Sequence, residues 1–541
     1  MNHQKNNKAS TPSEIPNIHW ADHVAEELIA KHPDKAEFVC ASGISPSGVV
    51  HIGNFREVIT VDLVVRALRD RGKPVRFIYS WDDFDALRKV PANLPEQESL
   101  TLHLREPISL IPDPFGDCES YAAHFEKLFE SELKQLGIEP QYIYQNQRYR
   151  QGRYNDGIRK ALEKEKEIVA ILNRWKTEAL ADDWTCVSIF CKECKKDLAR
   201  QIRFEAPSRF HYSCTHCKRD YSIDMDREGG VKLLWRIDWP MRWAQEGVDF
   251  EPGGKDHSSQ GGSYDTGAEI VRTVYGKEPP QYLQYDFVLA KGLGAKLSSS
   301  SGRLITLTEA LEIYEPQVIR WIFASRKPNI DFSIAFDLDV MKAYDDFDRT
   351  ERIATQQEAS DERRYQYDKR IYELSVVAKD EFVAASTAAQ FPFRHLCNIL
   401  QIHEGNIEKA KNYFSHSIKT PFDDKRFQAR ATRAWKWITS YAPEEFRFQL
   451  RSDTPPAAKH KEAIAALVQL LEKLDAPTAS SEEQLASNIY EIIKSRHLEP
   501  KPFFQDVYSI LISKPNGPKL ASFFLIIGPK RAAELLKQAL K

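Results

Sequence analysis

The 541-residue chain contains no apolar run of the ~18–20 residues that a membrane-spanning helix requires. Met1 to Ser13 is polar and lacks the apolar core of a secretory signal, so residues 1–17 read as a disordered lead-in. Cysteine is sparse. Eight in the whole chain are too few for a disulfide scaffold, and four of them fall in two close pairs. That usage points to a reducing compartment, the cytoplasm, and to a metal. An excess of one charge is also missing, since 76 Lys and Arg against 78 Asp and Glu leave a formal charge of -2. Near-neutrality does not exclude a nucleic-acid partner, because a basic surface can be confined to one face. There is no internal repeat and no long low-complexity tract.

What is present is an ordinary globular composition, 42% hydrophobic and 28% charged, in a chain too long for one core. Phe38-Val39-Cys40 reads as a short strand and Ser42 to Gly48 as a turn-forming loop. From His51 to Arg71 the residues Ile52, Phe55, Val58, Ile59, Leu63 and Val64 recur at helical spacing, and Gly72 stops the helix. A second strand follows at Val75 to Tyr79. Strand, glycine loop, helix and strand form a βαβ unit, which implies an α/β fold with a Rossmann-like parallel sheet. Strand patterns return at Val231 to Leu234 and at Tyr285 to Leu289. After about Ile330 helical periodicity dominates, with Pro455-Pro456 and Ala476 to Ser480 as candidate linkers.

Two segments carry phosphate chemistry. Pro46-Ser47-Gly48-Val49-Val50-His51-Ile52-Gly53-Asn54 places small residues between a strand and a helix, where free amides and the positive helix end favour phosphate. His51 and Asn54 are three apart and share one face of the first turn, and Gly53 leaves room for the nucleoside. Alone, this segment reads equally well as a tight strand-to-helix turn. Lys291 to Gly302 is a cationic, hydroxyl-rich loop, in which Lys296 could neutralise the leaving pyrophosphate. Alone, it reads as a surface loop. Together, in this order, the two are specific.

The pair resembles the HIGH and KMSKS signatures of class I aminoacyl-tRNA synthetases. His51-Ile52-Gly53-Asn54 has Asn in the last place, while Lys296-Leu297-Ser298-Ser299-Ser300 has Leu for Met and Ser299 for the second Lys. Longer strings are similar to class I lysyl-tRNA synthetase. They are Ala41 to Gly48, Asn54 to Glu57, Ser80 to Asp85, Trp235 to Trp243 and Gly254 to His257. The resemblance covers nearly all of the chain after Ile18. It implies ATP contacts at Pro46, Gly48, His51, Gly53, Asn54, Gly254, Asp256, Lys296 and Ser298, of which His51, Asn54 and Lys296 are catalytic. It also implies that Gly43 and Ser45 contact the amino-acid backbone, with Trp235, His257 and Tyr285 lining the pocket.

A lysine ammonium needs a carboxylate, an aromatic face, or both. Asp82 and Asp83, with Asp85, offer carboxylates at a strand end, where open α/β sheets bind ligands. A glutamate-activating relative would need a committed arginine, and Arg56, Arg76, Arg236 and Arg242 keep that alternative open. Cys191-x2-Cys194 and Cys214-x2-Cys217 have zinc-ribbon spacing, and four thiolates close a structural site. Cys186 and His216 are nearby spares. Between Lys425 and Lys461, cations interleave with aromatics, a composition suited to RNA. Arg430, Arg433, Trp435 and Lys436 are the expected tRNA contacts there. The competing reading is an amphipathic helix with a solvated basic face.

The expected organisation is a catalytic domain over 18–330 with a zinc-binding insertion at 175–230. A helical tRNA/anticodon-binding domain over 331–455 and a C-terminal helical domain over 456–541 follow. The expected activity is attachment of L-lysine to its tRNA through a lysyl-adenylate, using ATP, Mg²⁺ and structural Zn²⁺, in a monomeric, cytoplasmic enzyme. A catalytically silent, synthetase-like tRNA-binding protein and a small-ligand adenylyltransferase are the rival classes.

Overall fold

The computed structural model describes residues 19–91, 94–292, 305–474 and 481–541. Its centre is a five-stranded sheet whose paired strands all run parallel. Strand β1 (Phe38–Ile44) lies in the middle, followed outward by β2 (Val75–Trp81) and β3 (Gln141–Tyr144). On its other side lie Phe250–Gly254 and then Gln281–Tyr285. The register pairs Phe38 with Val75 and Ile44 with Trp81, so these two strands end level. The order reverses between β1 and Phe250–Gly254, a switch point that opens a crevice at the carboxyl ends of the strands.

Strand alternation explains the apolar run of β1. Phe38 and Cys40 join the core beneath helix α2 (Ile52–Asp70), the second helix after α1 (Trp20–Lys31), while Val39 and Ala41 pack with Trp239 and Trp243 on the opposite face. Helix α2 is apolar on most sides because it lies between the sheet and later helices. Phe55, Ile59, Val64 and Leu68 are all fully buried. His51 caps its start, Arg71 its end, and Gly72 follows with a left-handed φ of 73°.

Two sequence-derived strands differ in detail. Val231–Leu233 pairs antiparallel with Val187–Ile189, outside the main sheet. The Tyr285–Leu289 pattern is split. Gln281–Tyr285 belongs to the central sheet, whereas Val288–Lys291 pairs in parallel with Phe332–Ala335. Residues 199–224 form a separate three-stranded antiparallel sheet. From Leu307 onward the described elements are helices apart from Phe332–Ala335. No helix is long and apolar enough to cross a membrane, among the described residues.

Buried ion pairs bind the helices to the sheet. Asp62 of α2 accepts from Arg320 at 2.6 Å and from Arg66 at 2.9 Å. Asp22, in the helix Trp20–Lys31, accepts from Arg71 and Arg370, each at 2.8 Å. Burial drives both carboxyls upward, but the guanidinium partners outweigh it and hold them below their ordinary values.

Candidate active site

The crevice at the switch point is a cavity of about 900 Å³. It is lined by Gly43, Ser45, His51, Gly53, Asn54, Asp82, Trp235, Gly254, Asp256, His257 and Tyr285, residues that sequence reading singled out. Pro46, Gly48 and Asp83 do not line it. Gly43 is required by close approach, since a Cβ there would stand 2.6 Å from the Ser80 carbonyl oxygen.

The first turn of α2 is more self-contained than its composition suggests. His51 Nδ1 accepts from the Gly53 amide at 3.1 Å, and Asn54 Oδ1 accepts from the His51 amide at 3.3 Å. The Ile52 amide donates to Ile305 O at 2.8 Å and the Asn54 amide to His51 O at 2.9 Å. The amides expected to meet phosphate are therefore engaged within the protein. What remains is on the side chains. Because Nδ1 accepts, the neutral imidazole carries its proton on Nε2 and offers it as a donor. Burial lowers the His51 pKa, which favours that neutral form. Gly53 serves this arrangement, since a Cβ there would lie 2.8 Å from the His51 ring.

The carboxylates divide into two kinds. Asp82 pairs with Arg242 at 2.6 Å, and Arg242 also reaches Asp238 at 3.2 Å. Asp85 pairs with Lys232. Asp83 turns away from the cavity, is buried, and accepts from the Asn146 amide at 2.7 Å. Burial pushes its carboxyl up to about 7. Asp83 is thus corrected from a substrate ligand to an internal support of the β3 end. Glu57, missed as a site residue, lines the cavity from α2. It accepts from Ser42 Oγ at 2.9 Å, the Gly43 amide at 3.0 Å and Tyr285 Oη at 2.8 Å. Desolvation raises its pKa against those bonds, and it has no ion pair among the described residues. Its position three residues after Asn54, on the same helix face, was the available signal.

The aromatic side of the cavity is a stack. Trp235 lies 5.3 Å from Trp239 at 21° and 5.3 Å from His257. Asp256 lies beside His257, at 3.6 Å. None of the four arginines that kept a glutamate pocket open lines the cavity. Arg56 donates to backbone carbonyls including Phe287 and Ile330, Arg76 pairs with Glu246, and Arg242 serves Asp82 and Asp238. Arg236 is exposed.

Lys296 and Ser298 lie outside the described residues, as does the lead-in 1–17. The described flank Ile305 bonds directly to the start of α2. Lys291, the other nearby cation, is occupied by Asp339 and by Asp337 at 3.6 Å.

Cys191, Cys194, Cys214 and Cys217 come together with all four sulfurs within 4.8 Å of one another. The Cys191–Cys217 and Cys194–Cys214 sulfurs are 4.0 and 3.7 Å apart. A tetrahedral ion with metal–sulfur bonds of ≈ 2.3 Å has an edge of about 3.8 Å, so the set can hold a metal. Each pair ends in the same tight turn. Lys195 and Lys218 take positive φ, and their amides return to the carbonyls of Cys191 and Cys214. Cys186 and His216 are not part of the cluster.

The helix Pro421–Ser440 does not present its cations as expected. Arg430 is 2% exposed, held by Glu315 at 3.2 Å and Asp348 at 2.8 Å, and is corrected from an RNA contact to a core ion pair. Arg433 donates to Leu311 O and Tyr314 O, and Lys436 pairs with Glu312 at 3.0 Å. Trp435 is half-buried against the core.

Comparison with known proteins agrees with this geometry. The family model described as tRNA synthetases class I (K) matches residues 18–378. Among curated proteins, a lysine–tRNA ligase of Treponema pallidum is 43% identical, the match covering 96% of this chain and 98% of that protein. One from Borrelia garinii subsp. bavariensis is 45% identical, covering 96% and 99%. One from the archaeon Thermococcus kodakarensis is 42% identical, covering 94% and 97%. This chain belongs to the class I (K) family of tRNA synthetases.

Proposed function

We infer that this chain is a lysine–tRNA ligase, which activates L-lysine with ATP and transfers it to the tRNA terminus. The observation that carries the lysine reading is Glu57. It is a carboxylate facing the cavity, oriented by Tyr285 and Ser42, with no protein cation beside it among the described residues. A substrate ammonium supplies the missing charge, and Trp235 and His257 supply the facing rings.

Activation proceeds by attack of the lysine carboxylate on the α-phosphorus, with pyrophosphate leaving. Negative charge grows on the phosphoryl oxygens, and the His51 Nε2–H and the Asn54 side-chain Nδ2–H donate toward it. Gly254 and Asp256 sit at the nucleoside end, where the Asp256 carboxylate accepts from ribose hydroxyls. Lys296 and Ser298 keep their assignment to the triphosphate from the sequence. Magnesium bound together with ATP would supply further charge neutralisation. A ribose hydroxyl of the tRNA then attacks the lysyl carbonyl and AMP leaves. The enzyme's contribution is positioning and electrostatics, with no protein nucleophile.

The tRNA end has a route to this centre. A second cleft of about 920 Å³ shares Ser45, Trp235 and His257 with the cavity and runs to the cysteine module. Arg88, Lys89 and Arg200, all exposed, line it and suit the phosphates of a single strand. Zinc held by Cys191, Cys194, Cys214 and Cys217 would be structural, since four thiolates leave no open position. The helical region from about residue 331 is assigned to the body of the tRNA. The monomeric state and a cytoplasmic location belong to the same reading.

ATP–pyrophosphate exchange and tRNA charging, run across all amino acids with and without tRNA, test this reading. Lysine should be the amino acid that drives both. Exchange with none of them would favour a silent tRNA-binding protein, and exchange driven by glutamate would overturn the lysine assignment.

A further inference from the structure

Glu251, like Glu57, is a carboxylate that no cation pairs with among the described residues. It lies in the strand Phe250–Gly254, is 9% exposed, and forms no ion pair among the described residues. Both oxygens accept indole N–H groups, Oε1 from Trp239 at 3.0 Å and Oε2 from Trp243 at 2.7 Å. Those rings continue to the cavity. Trp243 packs on Trp239 at 4.6 Å, Trp239 on Trp235 at 5.3 Å, and Trp235 lines the cavity beside His257.

Packing alone does not require this charge. A buried carboxylate is costly unless something compensates it, and two indoles can be accommodated without an ionisable partner. The surroundings supply only part of that compensation. Helix Trp235–Glu246 brings Arg242, whose charge favours ionised Glu251 but which pairs directly with Asp82 and Asp238. Helix α2 brings Glu57, another acid. The neighbouring strand brings Tyr282, whose hydroxyl bonds Ser258 and whose ring stacks on Tyr264 of the helix Ser263–Tyr275. Strand β1 contributes Val39 and Ala41. Around the amino-acid end, then, Asp82, Asp85 and Asp238 pair with Arg242 and Lys232, while Glu57 and Glu251 form no ion pair among the described residues.

We propose that Glu251 is a specificity-determining positioning residue. It fixes the tryptophan stack that forms the cavity wall, and its charge biases the cavity toward an amino acid with a cationic side chain. This rests on the lysine–tRNA ligase reading. Burial moves the Glu251 carboxyl up to about 7, against the two indole bonds, so a bound ammonium would favour its ionised form.

The test is calorimetric binding of L-lysine, L-norleucine and ATP to the full-length protein, unmodified and as E251Q and E251D. E251Q should weaken lysine binding by about tenfold, the size of one charge interaction across a protein interior, and change ATP binding by less than about twofold. Norleucine, which has the lysine skeleton without the ammonium, should be affected less than lysine. E251D keeps the charge at shorter reach and should fall nearer the unmodified protein. Between pH 8 and pH 6 lysine binding to the unmodified protein should weaken as the carboxyl takes up a proton, and E251Q should show a shallower dependence. Equal losses for lysine, norleucine and ATP, or equal losses in E251Q and E251D, would reduce Glu251 to a packing residue and overturn the proposal. Unchanged lysine binding in E251Q would overturn it while leaving the ligase reading intact. An unmodified protein that binds no lysine would overturn the reading and this inference with it.

Discussion

Buried charge is handled differently around the cavity and at the joints that tie the helices to the sheet and to one another. At the joints every named acid meets a guanidinium. Asp22 meets Arg71 and Arg370, Asp62 meets Arg66 and Arg320, Glu351 meets Arg426, and Glu315 and Asp348 meet Arg430. At the cavity, Glu57 and Glu251 are held by neutral donors only, and burial raises both pKa values. Paired buried charge holds elements together, because removing one partner strands the other. Buried charge without a partner is not by itself a ligand site, since Asp83 is one too; Glu57 differs from it in facing the cavity.

The comparison predicts different failures. The largest effect is expected for Glu57→Gln, which removes the carboxylate proposed to meet the lysine ammonium. kcat/KM for lysine should fall by about 10²–10³-fold, the cost of a truncated charged hydrogen-bonded pair, with ATP affinity unchanged. A loss under about tenfold would break the assignment of Glu57 to the ammonium.

Next is Arg430→Met, which leaves Glu315 and Asp348 unpaired and should cost about 3–5 kcal/mol in denaturant unfolding. Reduced tRNA affinity with unchanged unfolding would restore Arg430 as an RNA contact and contradict its burial. His51→Ala should slow adenylate formation by about 10²-fold through the lost Nε2 donor, while the lost cap costs about 1 kcal/mol of stability. Equal damage to folding and to catalysis would mean that the capping role dominates.

The smallest effect concerns an acid at neither place. Glu126 is 7% exposed, its Oε1 has no hydrogen-bond partner among the described residues, and burial, with Asp83 and Glu130 nearby, pushes its carboxyl up to about 8. Between its ordinary value of 4.5 and about 8 the folded state holds the proton more tightly than the unfolded state. Stability from this group therefore falls as pH rises through that window. Glu126→Gln should remove the decline and leave the protein on the order of 2 kcal/mol more stable at pH 8. An unchanged melting profile from pH 5 to pH 8 would show that Glu126 is solvated.

Local pattern made much of the architecture legible. The spacing of Ile52, Phe55, Val58 and Ile59 marked α2, with its observed start at Ile52 and end at Asp70 within a residue of the expected bounds. The two Cys-x2-Cys pairs, separated by a ribbon-length span, indicated a four-sulfur cluster before any coordinates. Such features were readable because they depend on neighbours along the chain. The boundary at Asp286-Phe287 was not, because an unbroken apolar pattern cannot show that two halves pair with different sheets. The roles of the carboxylates were still less legible. Asp82, Asp83 and Asp85 are adjacent in sequence and chemically alike, yet their partners lie about 60 to 160 residues away at Arg242, Asn146 and Lys232.

The sequence by itself determined a βαβ core, a cysteine cluster, and a capped turn at His51–Asn54. Periodicity, capping chemistry and ligand spacing act over a few residues and survive in one dimension. Only the tertiary structure decided which polar groups remain available. It engaged the first α2 amides, on their own turn and on Ile305, directed Arg430 into the core and Asp83 away from the cavity, and left Glu57 facing it. Availability is set by the groups that other parts of the chain bring within about 3 Å of a donor or acceptor, and that depends on the complete fold.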